Sequence, residues 1–84
     1  MNSRAIREFA ADNGLTITAL HNDGTPTGRP LTDTDAGFHV YRDEGRDSED
    51  LGRIWEEQGG FVLEVAHRGD LRDPNAVFLL KTLV

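Results

Sequence analysis

The chain has 84 residues, room for one hydrophobic core and too few for two domains, and a chain of this size buries roughly 60–65% of the surface its unfolded form exposes. It contains no cysteine, which excludes disulfides and thiolate-based zinc or iron–sulfur sites. Fifteen acidic against nine basic residues give a net charge of −6. That sign opposes attraction to nucleic acid and to anionic membranes, and favours a protein partner with a basic surface.

Apolar residues make up 37% and charged residues 29%, yet Leu, Ile, Val and Phe gather in short periodic runs, which predicts folding rather than disorder. The first eight residues carry no apolar signal region, and the apolar run at residues 77–80 is far too short to span a bilayer. The expected address is cytoplasmic, with no membrane contact. Arginine outnumbers lysine eight to one, with abundant Asp and Gly, a composition in keeping with a GC-rich genome such as that of an actinobacterium or one of its phages.

In chain order, Asn2 or Ser3 caps a first helix that runs to Asp12 or Asn13, with Ile6, Phe9 and Ala10 as its apolar stripe. Gly14 stands where a left-handed residue closes a helix, and Leu15 follows to pack back on the last turn. Residues 15–20 alternate Leu15, Ile17 and Ala19 with Thr16 and Thr18, the pattern of a half-buried strand. Residues 22–37 are rich in Gly, Pro, Thr and Asp. They read as a long loop with a tight turn at Asn22-Asp23-Gly24, and as a candidate contact loop because long structureless connections are uncommon in small domains.

Phe38, Val40 and Arg42 share one face of a second strand and His39 and Tyr41 the other. A charged turn follows at residues 43–47. Ser48 is then expected to cap a second helix with Glu49 and Asp50 in its first turn and Leu51, Ile54 and Trp55 as its stripe, ended by Gly59-Gly60. Gly52 weakens that helix by roughly 1 kcal/mol relative to alanine. Phe61, Leu63 and Val65 mark a third strand. Residues 68–75 read as a turn region with Asp73-Pro74-Asn75 at a β-turn, and residues 77–84 as a final strand covered on both faces.

The expected fold class is therefore α+β, a single domain over residues 1–84 in the order α-β-β-α-β-β. An antiparallel sheet of three or four strands would carry both helices on one face. So apolar a terminal strand also leaves room for a homodimer, by packing on the sheet or pairing at an edge.

No constellation points to catalysis or to a bound cofactor. The sequence has no phosphate-binding glycine loop, no G-x-S-x-G and no H-E-x-x-H, and its two serines, Ser3 and Ser48, are taken up as helix caps. Asp33-Thr34-Asp35 with Glu44 imitates a calcium loop but places Phe38 where a glycine turn is needed. His39 and His67 would meet only if their strands pair, with Glu64 or Asp70 completing a metal site; strand-end histidines on a solvated face are the ordinary reading. Arg68-Gly69-Asp70 reads as a turn.

Acidity concentrates between residues 43 and 57, where Asp43, Glu44, Asp47, Glu49, Asp50, Glu56 and Glu57 face only Arg46 and Arg53. Carboxylates spread in this way can imitate a phosphate backbone and occupy a basic groove. The expected function is thus a non-enzymatic acidic interaction module, such as a small phage or accessory-gene inhibitor of anti-defence or anti-CRISPR type, binding a nucleic-acid-binding protein.

The stretch Ala5-Ile6-Arg7-Glu8-Phe9-Ala10-Ala11-Asp12-Asn13-Gly14-Leu15 resembles the first helix of the C-terminal DNA-binding domain of Lsr2-type nucleoid proteins. Gly28-Arg29-Pro30 is similar to the core of an AT-hook-like minor-groove contact. That domain is all-helical and basic. The alternative function is a nucleic-acid-binding regulator using Arg4, Arg7 and Arg29; a metal-dependent or hydrolytic enzyme is a third.

Overall fold

A computed structural model describes residues 1–45, 47–65 and 69–84 of the chain, with the Glu44 side chain left aside. Arg46, His67 and Arg68, which enter the expectations above, lie outside the described residues. The elements run α1 (Ser3–Asp12), β1 (Thr16–Leu20), β2 (Gly37–Glu44), β3 (Asp47–Glu57), β4 (Gly60–Val65), β5 (Gly69–Asp73) and α2 (Ala76–Lys81). The five strands form one antiparallel sheet in the order β1-β2-β3-β4-β5. The class is α+β as expected, but the sheet is a five-stranded meander with a helix at each end of the chain.

The first third of the chain follows its local signals. Asn2 caps α1 by accepting from the Ala5 N–H at 3.1 Å, and Ile6 and Ala10 are buried with Phe9 beside them. Gly14 takes φ 67°, and the Leu15 N–H bonds the Ala10 carbonyl at 2.9 Å as the chain turns into β1.

Three elements depart from expectation. Residues 47–57 are the strand β3 and not a helix, because Leu51 is an extra residue: Val40 pairs with Gly52 but Tyr41 with Asp50. This bulge shifts the alternation by one position, so Leu51, Ile54 and Trp55 acquire helical spacing by coincidence. Gly52, at φ 135°, is the residue that lets the strand bend there. Residues 69–73 form the edge strand β5, whose exposed, largely polar sequence carries no buried-strand pattern. The apolar C-terminal run is the helix α2, capped by Asn75, with Ala76, Leu79 and Leu80 buried and Leu83 against the core. That i, i+3, i+4, i+7 spacing is hidden in the sequence by Val77 and Phe78, which flank the stripe.

Both helices lie on one face of the sheet. Ile6 and Ala10 from α1 and Ala76, Leu79 and Leu80 from α2 join Ala19, Phe38, Val40, Ile54 and Leu63 in a single core. The opposite face is mostly polar, with cross-strand rows Thr18–His39–Arg53–Glu64–Asp70 and Leu20–Gly37–Trp55–Val62–Arg72. In the second row Leu20 and Val62 are both 3% exposed.

Residues 21–36 are not a free loop. The Gly24 N–H bonds the His21 carbonyl at 2.9 Å to close the turn expected there, and the turn folds toward Arg53 and Trp55. Pro26 bridges Leu20, and the Thr27 N–H bonds the Ala19 carbonyl at 3.0 Å, which covers the Ala19–Leu20 end of β1's outer edge. Leu31, 2% exposed, plugs the core. Asp33 accepts from the backbone N–H and the hydroxyl of Ser3 at 2.9 and 2.6 Å, tying the loop to α1.

Candidate functional site

The sheet register decides what becomes of the acidic segment. β1 reaches only to Tyr41 on β2, and β4 pairs with β3 only from Arg53 onward. Among the described residues, 42–44 and 47–49 therefore pair only with each other, as a two-stranded arm turned at Gly45, which has φ 68°, and the Thr16 hydroxyl reaches Asp43 from β1 at 3.4 Å. Asp43, Glu44, Asp47 and Glu49 lie on this arm, and Asp50 stands at its base opposite Tyr41. Asp43, Asp47, Glu49 and Asp50 are exposed. At the end of the arm, Glu44 and Asp47 occupy directly opposed positions on the two strands.

Glu56 and Glu57 do not belong to this group. Glu56 lies nine residue steps along β3 from Asp47, about 30 Å of strand. Glu56 lies 3.4 Å from the N-terminal amine and Glu57 3.6 Å from Arg72 at the far end of the sheet. A stretch contiguous in sequence is thus divided in space: four of the seven acids lie on the arm, Asp50 at its base, and Glu56 and Glu57 elsewhere.

Two contacts fix the base of the arm. Arg42 donates from Nη2 to the Leu83 carbonyl at 3.3 Å and lies 3.3 Å from Glu49. On the polar face, His39 Nε2 bonds Asp50 Oδ1 at 2.8 Å, and the same oxygen accepts from the Gly52 N–H at 3.0 Å. Burial acts to raise the Asp50 carboxyl, but the hydrogen bond and charge of His39, with the Gly52 N–H and Arg53, outweigh it and hold the carboxyl below its ordinary value. Thr18, Tyr41 and Ser48 line a hollow of about 290 Å³ with this pair. Asp50 at the bulge thus links the polar face to the arm. Sequence reading placed residue 50 on a helix and so missed the pair, since only the bulge brings Asp50 opposite Tyr41.

The residues of the nucleic-acid alternative are engaged elsewhere. Arg29 makes a bidentate pair with Asp35 at 2.9 and 2.6 Å, and Asp35, 8% exposed, also accepts from the Thr32 N–H and hydroxyl. The Arg29 hydrogen bonds hold the Asp35 carboxyl far below the usual carboxylate range against the opposing effect of burial. Arg4 pairs with Glu8 at 3.0 Å, and Arg7 Nε donates to the Ser3 carbonyl at 3.4 Å. Unlike the all-helical domain that residues 5–15 resemble, α1 leads into a sheet.

The metal site considered from the sequence is not assembled among the described residues. They contain no group of three or more His, Asp or Glu able to hold a cation. The strands carrying His39 and Glu64 are not neighbours: β3 lies between them, with Arg53 in the intervening position. A hollow of about 480 Å³ between the N-terminal ends of α1 and α2 is lined by Met1 and by residues such as Ile6, Phe61 and Val77. No helix of the described residues is long and apolar enough to cross a membrane. No protein-family model, curated protein or solved structure matches the chain.

Proposed function

We propose that the chain is a non-enzymatic protein-interaction module that docks its β2–β3 arm on a basic surface of a nucleic-acid-binding protein, acting as a small inhibitor of phage or accessory-gene type. The observation that carries this reading is the placement of four acidic residues, Asp43, Glu44, Asp47 and Glu49, on the part of the β2–β3 hairpin beyond its described pairing with β1 and β4, with Asp50 at its base. Acidic positions gathered at one end of a hairpin, with Asp43, Asp47 and Glu49 exposed, complement the charge of a basic partner. The arm's carboxylates would steer encounter, so association should slow steeply with added salt.

The test is capture of a nucleic-acid-binding protein from a host lysate on the immobilised chain, compared with a variant carrying Asp43→Asn, Asp47→Asn and Glu49→Gln. Circular dichroism would verify that the variant keeps its fold. Loss of capture by the variant, and by the parent at high salt, supports the reading. Equal capture by both, with the same salt dependence, overturns it.

A further inference from the structure

The two edges of the sheet are treated differently. Residues 26–27 cover the Ala19–Leu20 end of β1's outer edge, whereas β5 has β4 on one side and no described residue paired on the other. Bare edges invite another strand unless sequence or structure discourages it. Leu71, in the middle of β5, is 49% exposed, and the other large exposed apolar side chains, Phe78 at 56% and Val84 at 57%, lie on α2 and the tail that follows it. Leu71 also borders a hollow with Thr82 and Leu83, so the apolar exposure of the described residues gathers at this end of the sheet.

The sequence of β5, Gly69-Asp70-Leu71-Arg72-Asp73, is charge-complementary to itself when reversed. In an antiparallel pairing centred on Leu71, Asp70 stands opposite Arg72 of the second copy, Arg72 opposite its Asp70, and the two Leu71 side chains face each other. Shifting the register by two residues in either direction opposes Asp70 to Asp70 or Arg72 to Arg72. Within one copy Asp70 stands opposite Glu64 on β4, a like-charge neighbour that an arginine on its other flank offsets. Arg72 can take that role beside its ion pair with Glu57 at 3.6 Å, since its side chain stays 63% exposed.

We infer that β5 is a homodimerisation edge: two copies pair antiparallel about Leu71 to make one continuous ten-stranded sheet, locked in register by two Asp70–Arg72 pairs. The symmetry is isologous, as in most dimers, and places both helical layers on the same face. The interface is independent of the β2–β3 arm. So short an edge gives a weak dimer, with a dissociation constant in the range of about 1–100 μM.

Sedimentation velocity of the full chain tests this. The parent should pass from 9.3 kDa to twice that mass as concentration rises. Asp70→Arg and Arg72→Asp each set like charges face to face and should weaken pairing roughly tenfold or more. The double variant Asp70→Arg/Arg72→Asp restores complementarity and should dimerise again, and an equimolar mixture of the two single variants should form the heterodimer. A parent that stays at 9.3 kDa up to about 1 mM overturns the inference. So do single variants that dimerise as the parent does, or a double variant that remains monomeric while folded by circular dichroism.

Discussion

The indole of Trp55 occupies the space above Gly37, its directly opposed partner on β2, so closely that a β-carbon at position 37 would fall within the contact shell of Cε3, Cδ2 and Cζ3. Glycine is required there by its neighbour, since its φ is not in the left-handed region. Gly37→Ala is expected to displace the ring and cost about 1–3 kcal/mol, as overpacking of a filled site does. Trp55 is the chain's only tryptophan, so urea unfolding followed by its fluorescence reads both effects: a lower midpoint and a native emission shifted to the red. An unchanged spectrum would contradict the placement of the ring.

Gly52 is constrained by backbone. At φ 135° it lies at the bulge of β3, and a β-carbon would stand 2.6 Å from the Glu64 carbonyl oxygen on β4, which cannot yield without opening the sheet. Gly52→Ala should therefore destabilise by about 2–4 kcal/mol. On a helix, the same change would stabilise by roughly 1 kcal/mol. The sign of the shift in a urea midpoint thus separates the two readings of residues 47–57.

These residues show where the fold was legible in sequence. Asn2, Gly14 and the alternation through Ala19 act locally, and α1 and β1 form where those signals place them. β3 was not legible because its pattern is phased by a bulge that depends on β2, and Gly52, in retrospect the sign of that bulge, reads equally as a weak point in a helix. β5 draws its strand character from pairing with β4, since four of its five residues are exposed. The composition of the arm was visible, but its extent was not. Which acids stand together depends on where β1 and β4 end, and that separates Glu56 and Glu57 from Asp47.

The helical nature of α2 has its own test in Asn75, whose side chain accepts from the Val77 N–H at 2.9 Å. Asn75→Ala should cost about 1 kcal/mol, and Asn75→Asp, which keeps the capping oxygen, much less. A thermal melt of both variants checks the order. Were residues 77–84 a strand, the two substitutions would differ little.

The pH dependence of stability should report on Asp35. Its carboxyl is held far below the ordinary range chiefly by the Arg29 hydrogen bonds, with burial opposing and Thr32 assisting. A carboxyl whose folded pKa is depressed stabilises the fold above its unfolded value of about 3.9, and loses that contribution as pH falls toward the folded value. Stability should thus stay level from neutral pH to about 5 and fall steeply below about 4. Asp35→Asn keeps the side chain's shape but replaces charged hydrogen bonds, and should lower stability at pH 7 by about 1.5–3 kcal/mol. It should also flatten the acid limb. Asp23, Asp33 and Asp50 are depressed as well, so part of the slope will persist. Urea titrations of both proteins between pH 7 and 2 supply the comparison. Parallel curves would show that the Arg29–Asp35 pair contributes nothing to the acid sensitivity of the fold.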